Sequence, residues 1–116
     1  FNRYFPIKTV DLMRAALVAE KDNFLRSFAD KAFNAIWVES MNMNDEEIFQ
    51  KFIKHQEINT DLFSLKYNDP IIKNDLIKRT NDCFNKGIFG VPAFIVNGKM
   101  FWGQDRLDFV FNEAKK

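Results

Sequence analysis

G-I-F-G-V-P-A-F-I-V-N-G-K-M-F-W-G-Q-D-R-L, residues 87–107, strings together a helix stop, a Val-Pro step, two short apolar runs around an Asn-Gly pair, and a new helix start. A proline cannot donate to a sheet ladder, so Pro92, directly before Ala93-Phe94-Ile95-Val96, must stand at the first residue of that strand. Asn97-Gly98 between apolar runs predicts a hairpin, because a type I′ turn needs positive φ at both central positions. The runs 93–96 and 99–102 are therefore expected as antiparallel neighbours. After Gly103, the residues Leu107, Phe109, Val110 and Phe111 supply an apolar side for a last helix. Asp105 near its start and the lysines at its end agree with the helix dipole.

Upstream the pattern is helical throughout. Thr9 or Asp11 can cap a helix to about Lys21, in which Met13, Ala16, Leu17 and Glu20 fall at helical spacing. Asp22 is expected to cap the next one, where Leu25, Phe28, Ala29, Ala32 and Ile36 form a stripe. Phe24, Phe33 and Trp37 widen that stripe until the helix looks apolar on most sides, which predicts burial within a cluster. Asn44 with Glu47 reads as a capping box before Ile48, Phe49, Phe52 and Ile53. The helix they open ends near His55. Thr60 starts a brief helix, and Asp69 caps a longer one with Pro70 at its first position, where a missing N–H costs nothing. Ile72, Leu76, Thr80 and Cys83 make its inner stripe, and Gly87 ends it. Phe1 to Phe5 read as the end of a strand.

A chain of 116 residues with 47% hydrophobic content and fourteen Phe can build a core of its own. The phenylalanines are spread through the helices, which favours packing over a binding stripe. Lys plus Arg number 17 against 16 Asp plus Glu, with the signs interspersed, so no one-signed field exists to steer a polyanion and nucleic acid is not expected. No run approaches the roughly 18–20 apolar residues that span a bilayer, and the first residues do not form a signal peptide. A single cysteine forms no internal disulfide, nothing calls for an oxidising compartment, and a cytoplasmic setting is expected. On its stripe Cys83 reads as an inert buried thiol. His55 reads as a solvated residue, Glu46-Glu47 as an ordinary first-turn pair, and one His with one Cys cannot build a zinc site.

The run G-x-F-G-V-P-x-F-x-V-N-G-x-x-F-W-G-Q-D-R-L-D-F-V, together with R-A-A-L at residues 14–17 and A-F-N-A-I-W-V-E at residues 32–39, resembles the 2-hydroxychromene-2-carboxylate isomerases. These are similar to kappa-class glutathione transferases and, more distantly, to the DsbA-like branch of the thioredoxin superfamily. The resemblance implies an α/β, thioredoxin-like fold of DsbA/kappa type with an all-α insertion, mostly α in this chain. It divides one incomplete domain into a strand remnant (1–5), a helical insertion (6–87) and a ββα segment (88–116). It also implies that Phe1 opens in mid-element, on an N-terminally truncated fragment or a piece of a larger chain, with the first strand and the catalytic serine upstream. The strand 93–96 would then lose its parallel neighbour, and an unpaired buried edge is costly, so the missing segment or another chain is expected to cover it.

For the site, the resemblance implies a cis Val91-Pro92 bond that turns the N–H and C=O of Val91 outward to pair with the cysteinyl residue of glutathione. It places the γ-glutamyl contacts on Gln104, Asp105 and Arg106, with Gln104 standing where kappa enzymes have serine. The bland reading makes Val91-Pro92 a mere strand entry and Gln104 to Arg106 ordinary first-turn residues. Trp37 and Trp102 are candidate walls of an aromatic substrate pocket, although each is expected first as core bulk. The implied activity is a glutathione-dependent isomerase, with glutathione as cofactor and an aromatic-derived small molecule as substrate, in a homodimer. These residues alone should bind glutathione weakly and catalyse nothing measurable. The alternatives are a kappa-like glutathione transferase, a DsbA-like thiol-disulfide oxidoreductase needing an upstream C-x-x-C, and a non-enzymatic association domain.

Overall fold

The computed structural model describes residues 1–56 and 59–116. Among these residues the elements run α1 (Val10–Lys21), α2 (Leu25–Phe33) continuing into a π-helical turn (Asn34–Val38), α3 (Glu46–Lys54), α4 (Thr60–Tyr67), α5 (Pro70–Asn85), β1 (Ala93–Val96), β2 (Lys99–Trp102), a 3-10 turn (Gln104–Arg106) and α6 (Leu107–Ala114). The chain divides into two compact units, residues 1–77 and 78–116, and the division falls inside α5.

In the first unit α1 buries Leu12, Ala15, Val18 and Ala19 along one face and packs against α2 and α4. The two alanines let neighbouring helices approach, and aromatic rings fill the space beyond. Phe28, 1% exposed, is the hub. Its ring meets Phe52 at 5.8 Å and Phe63 at 5.9 Å, and Phe63 passes the contact on to Tyr67 at 5.5 Å, all edge to face. That geometry sets a positive ring edge on a negative ring face. The Tyr67 hydroxyl accepts from Gln50 Nε2 at 3.1 Å, so the polar end of the array is satisfied.

Helix starts follow the short polar side chains. Asp45 accepts from the N–H groups of Glu47 (2.9 Å) and Ile48 (3.2 Å), Asn59 from Leu62 (3.1 Å), and Asp69 from Ile71 (2.8 Å) beside Pro70. The cap of α3 thus lies one residue beyond the expected Asn44. The amide of Asn44 is drawn elsewhere, accepting from Lys8 N–H at 2.7 Å and donating to the Pro6 carbonyl at 3.2 Å. Asp22 closes α1 instead of opening α2, whose N-cap is Phe24, and its carboxylate pairs with Lys66 at 2.9 Å. Thr9 is the N-cap of α1 but makes no side-chain cap bond.

Several expectations of strand or burial fail. Residues 1–5 form a turn, not a strand, and the Phe5-Pro6 peptide is cis. What fixes this segment is Asn2, fully buried, whose Nδ2 donates to the carbonyls of Ile36 and Met41, both at 2.9 Å, while its Oδ1 accepts from Tyr4 N–H at 2.8 Å. One side chain thereby does what a ladder would have done. The helix through Trp37 is covered on one side only: Phe28, Ala32, Ala35 and Ile36 are buried, but Phe33, Trp37 and Val38 are exposed. Cys83 is exposed as well, because every residue of α5 from Ile77 onward faces solvent and only the first part of its stripe, Ile72 and Leu76, packs on the core.

The second unit opens where Gly87 ends α5. Ile88 N–H reaches back to the Cys83 carbonyl at 3.0 Å and Gly87 N–H to that of Phe84 at 2.9 Å, the paired closure of a helix on a glycine. β1 and β2 are antiparallel with Ala93 opposite Trp102 and Val96 opposite Lys99. The turn between them has φ of 51° at Asn97 and 76° at Gly98, as the sequence predicts. Asn97 Nδ2 then donates to the Glu113 carbonyl (3.0 Å) and Oε1 (3.3 Å), tying the turn to the end of α6. Lys99 and Lys116 reach Glu113 Oε2 at 3.3 and 3.0 Å. Glu113 is 7% exposed, and the hydrogen bond from Lys116, followed by those from Asn97 and Lys99, outweighs burial and holds its carboxyl below the ordinary range.

Two outcomes follow from these contacts. Asn2→Ala strands the carbonyls of Ile36 and Met41 inside the first unit, and should lower stability by about 2 kcal/mol, read as a reduced urea midpoint of the helical circular-dichroism signal; an unchanged midpoint contradicts the role given to Asn2. Because the Glu113 pKa falls on folding, its contribution is complete above the ordinary carboxylate range and is lost as pH drops through the lowered value. The protection of the Asn97 amide against hydrogen exchange, taken relative to the intrinsic rate at each pH, should therefore fall in acid in the unmodified protein, whereas Glu113→Gln should show less protection at neutral pH and no such acid dependence.

Candidate functional site

The candidate residues lie where the ladder of the second unit runs out. Val91-Pro92 enters β1 through a cis peptide bond. Beyond the Ala93–Trp102 pair the next residues in register are Pro92 and Gly103, and Gly103 N–H donates to the Pro92 carbonyl at 2.9 Å. A hydrogen-bonded antiparallel pair normally exchanges two bonds. Pro92 has no N–H to return. The Gly103 carbonyl is left to accept from Arg106 N–H at 3.1 Å, and that bond turns the chain into the 3-10 turn leading to α6.

Gly103 is required at this corner. Its φ of 98° and ψ of 148° lie where side chains are strained, and a Cβ would come 2.6 Å from Asp105 Oδ1. The amides of Gln104 and Asp105 have no acceptor among the described residues, and both residues are exposed. On the other side of the Pro92–Gly103 bond, Val91 is 86% exposed and neither its N–H nor its C=O is bonded among the described residues. A short length of open main chain thus adjoins a corner of free amides with a carboxylate at hand. Such a corner can take an extended peptide by strand addition and an anion on the amides.

Of the residues singled out in the sequence, Val91, Pro92, Gln104, Asp105 and Arg106 converge on this corner. The Arg106 amide is spent in the turn, and its guanidinium lies over the Phe109 ring at 5.5 Å. The core expectation fails for both tryptophans. Trp37, in the first unit, is 48% exposed with its ring 6.4 Å from that of Phe1. Trp102, in the second, is 51% exposed and packs against Phe89 at 5.2 Å. Gly90 was not singled out, yet a Cβ there would collide with the Trp102 indole, so its lack of a side chain sets where that ring lies. Its only mark in the sequence is its place before Val91-Pro92. His55 is exposed, and the described residues hold no cluster of His, Cys, Asp and Glu able to bind a metal ion.

The DSBA-like thioredoxin domain matches residues 1–114. A 2-hydroxychromene-2-carboxylate isomerase of Sphingobium xenophagum is 26% identical over 96 residues, covering 83% of this chain and 49% of that protein. The chain thus spans about half the length of this curated relative. No solved structure matches it, and none of its described helices is long and apolar enough to cross a membrane. A cis Val-Pro strand entry, a hairpin and a closing helix, joined to a mostly helical remainder and matched almost end to end, make this chain a member of the DSBA-like thioredoxin domain family.

Proposed function

We propose that the chain carries the tripeptide-binding part of a glutathione-dependent isomerase of the 2-hydroxychromene-2-carboxylate isomerase type, acting on an unsaturated, aromatic-derived substrate. The observation that carries this reading is the open main chain of Val91 beside the Gly103 corner. Val91 N–H and C=O pair with the cysteinyl residue as one more short strand, and Pro92 ends the ladder so that this edge stays open. The Gln104 and Asp105 amides take the γ-glutamyl carboxylate, and the Asp105 side chain takes the neighbouring ammonium. Glutathione, when bound, supplies a thiolate that adds reversibly to an unsaturated carbon and frees rotation about the former double bond. Each unit by which the thiol pKa is lowered requires about 1.4 kcal/mol of preference for the anion. The family resemblance gives that task to a serine hydroxyl that donates to the sulfur.

Magnitudes set the expected affinity. Two main-chain hydrogen bonds on an exposed edge contribute about 1–3 kcal/mol, and the charged contacts about 0.3–1 kcal/mol each. The sum, about 2–5 kcal/mol, corresponds to dissociation constants from tens of millimolar down to somewhat below one millimolar. Titrating reduced glutathione into residues 1–116 should shift the amide resonances of Val91 and of Gln104 to Arg106 with saturation at millimolar ligand, and Asp105→Asn should weaken binding about two- to fivefold. Silence at Val91 under these conditions removes the proposal.

A further inference from the structure

We infer that Asn97 is a site of spontaneous modification, converted through a cyclic imide with Gly98 into aspartate and isoaspartate, and that Glu113 holds it in the amide form while the hairpin stays docked on α6. Asn97-Gly98 is the one Asn-Gly pair in the sequence. A glycine after asparagine leaves the attacking main-chain nitrogen with no side chain of its own to shield it. Here that nitrogen is within reach of solvent. Both residues are exposed, the Gly98 N–H has no main-chain acceptor among the described residues, and nothing lies within 4 Å of the place a Gly98 Cβ would take.

In the reaction the Gly98 nitrogen gives its proton to hydroxide and bonds to Asn97 Cγ. The Cγ–Nδ2 bond then breaks, and Nδ2 takes a proton from water and leaves as ammonia. Water afterwards opens the imide. Cleavage between the nitrogen and Cγ restores the main chain with an aspartate, whereas cleavage between the nitrogen and the main-chain carbonyl carbon leaves the chain running through Cβ and Cγ as isoaspartate. Nothing is oxidised or reduced, and water is the sole co-reactant. In the docked hairpin Nδ2 donates to the Glu113 carbonyl at 3.0 Å and to its Oε1 at 3.3 Å, while Lys99 and Lys116 hold Oε2 at 3.3 and 3.0 Å. Attack makes Cγ tetrahedral and pulls the amide from these acceptors, so the rate follows the local opening of the contact. Neither product can return to it. A carboxylate has no proton to donate to Glu113 and meets the Glu113 carboxylate with like charge. Isoaspartate also lengthens the turn between Val96 and Lys99, which pair across it, so the old register no longer closes. The conversion thus uncouples the hairpin from α6 irreversibly, and it does so with or without the proposed isomerase activity.

The test incubates residues 1–116 in one mildly alkaline buffer and follows Asn97 by peptide mass spectrometry and by labelling with an isoaspartate-specific carboxyl methyltransferase. Asn97 should convert ahead of every other asparagine of the folded chain, and about tenfold faster when the chain is unfolded in urea. Glu113→Gln, which loses the lysine clamps, should convert about two- to fivefold faster than the parent, and Glu113→Ala faster again. Helical circular dichroism establishes that each variant is folded; should Glu113→Ala not fold, Glu113→Gln alone decides. In Asn97→Asp, which reproduces one product, the amide resonances of Lys99 and Glu113 should shift. A folded parent free of isoaspartate at Asn97 after the urea-treated chain has converted overturns the inference. So does a parental rate in the folded Glu113 variants, and so does an Asn97→Asp chain whose Glu113 amide resonance has not moved.

Discussion

The hydrogen bond from Gly103 N–H to the Pro92 carbonyl organises the corner on which the candidate residues of the second unit converge. It is half of a pair whose other half cannot form. Because proline has no N–H, the antiparallel ladder ends with one carbonyl over, and Arg106 N–H takes it at 3.1 Å to start the turn into α6. Had any other residue stood at position 92, its N–H could have claimed the Gly103 carbonyl and carried the strand pairing one step further. The proline thereby does two things at once: it leaves Val91 open at the edge and lets the chain turn at Gly103. Neither depends on a distant contact, so both lie close to the level of sequence.

That locality explains what could be read from the sequence and what could not. The Asn97-Gly98 turn, the strands on either side, the cap at Asp69 with Pro70 behind it, and the stop at Gly87 are each set by residues within a few positions of one another, and the structure shows them where the sequence places them. The failures are non-local. Asn44 has the look of a cap, but its amide is drawn to a segment some 36–40 residues earlier, and the neighbouring Asp45 takes the helix end. Asn2 looks like an unremarkable polar residue near a terminus, yet it is fully buried and its amide is bonded to carbonyls 34 and 39 positions away. Periodicity gave Cys83 and Trp37 inward faces because it reports which side of a helix is apolar. It does not say whether anything covers that side.

Position 97 shows how a local rule can conceal a longer-range one. The turn needs a residue that tolerates positive φ, and aspartate would serve nearly as well as asparagine. The contact with Glu113 discriminates between them. Only the amide can donate to the Glu113 carbonyl and carboxylate, whereas a second carboxylate would face Glu113 with like charge. Lys99 and Lys116 complete the set, and the lowered pKa of Glu113 records that the ionised form is the one the fold holds. In the sequence Glu113 is one polar residue in a terminal run and nothing marks it. The hairpin is thus set by its turn and anchored to the last helix by a group that only the tertiary structure identifies.

The same corner divides free main-chain groups from side-chain groups. At Val91, Gln104 and Asp105 the free groups are backbone amides and one carbonyl, suited to a ligand recognised through its own peptide groups and carboxylate. At Arg106 the amide is already spent in the turn, and what remains is a guanidinium laid over Phe109 beside Trp102 and Phe89. The step from Asp105 to Arg106 marks that division, because the amide before the turn stays free and the one that closes the turn does not.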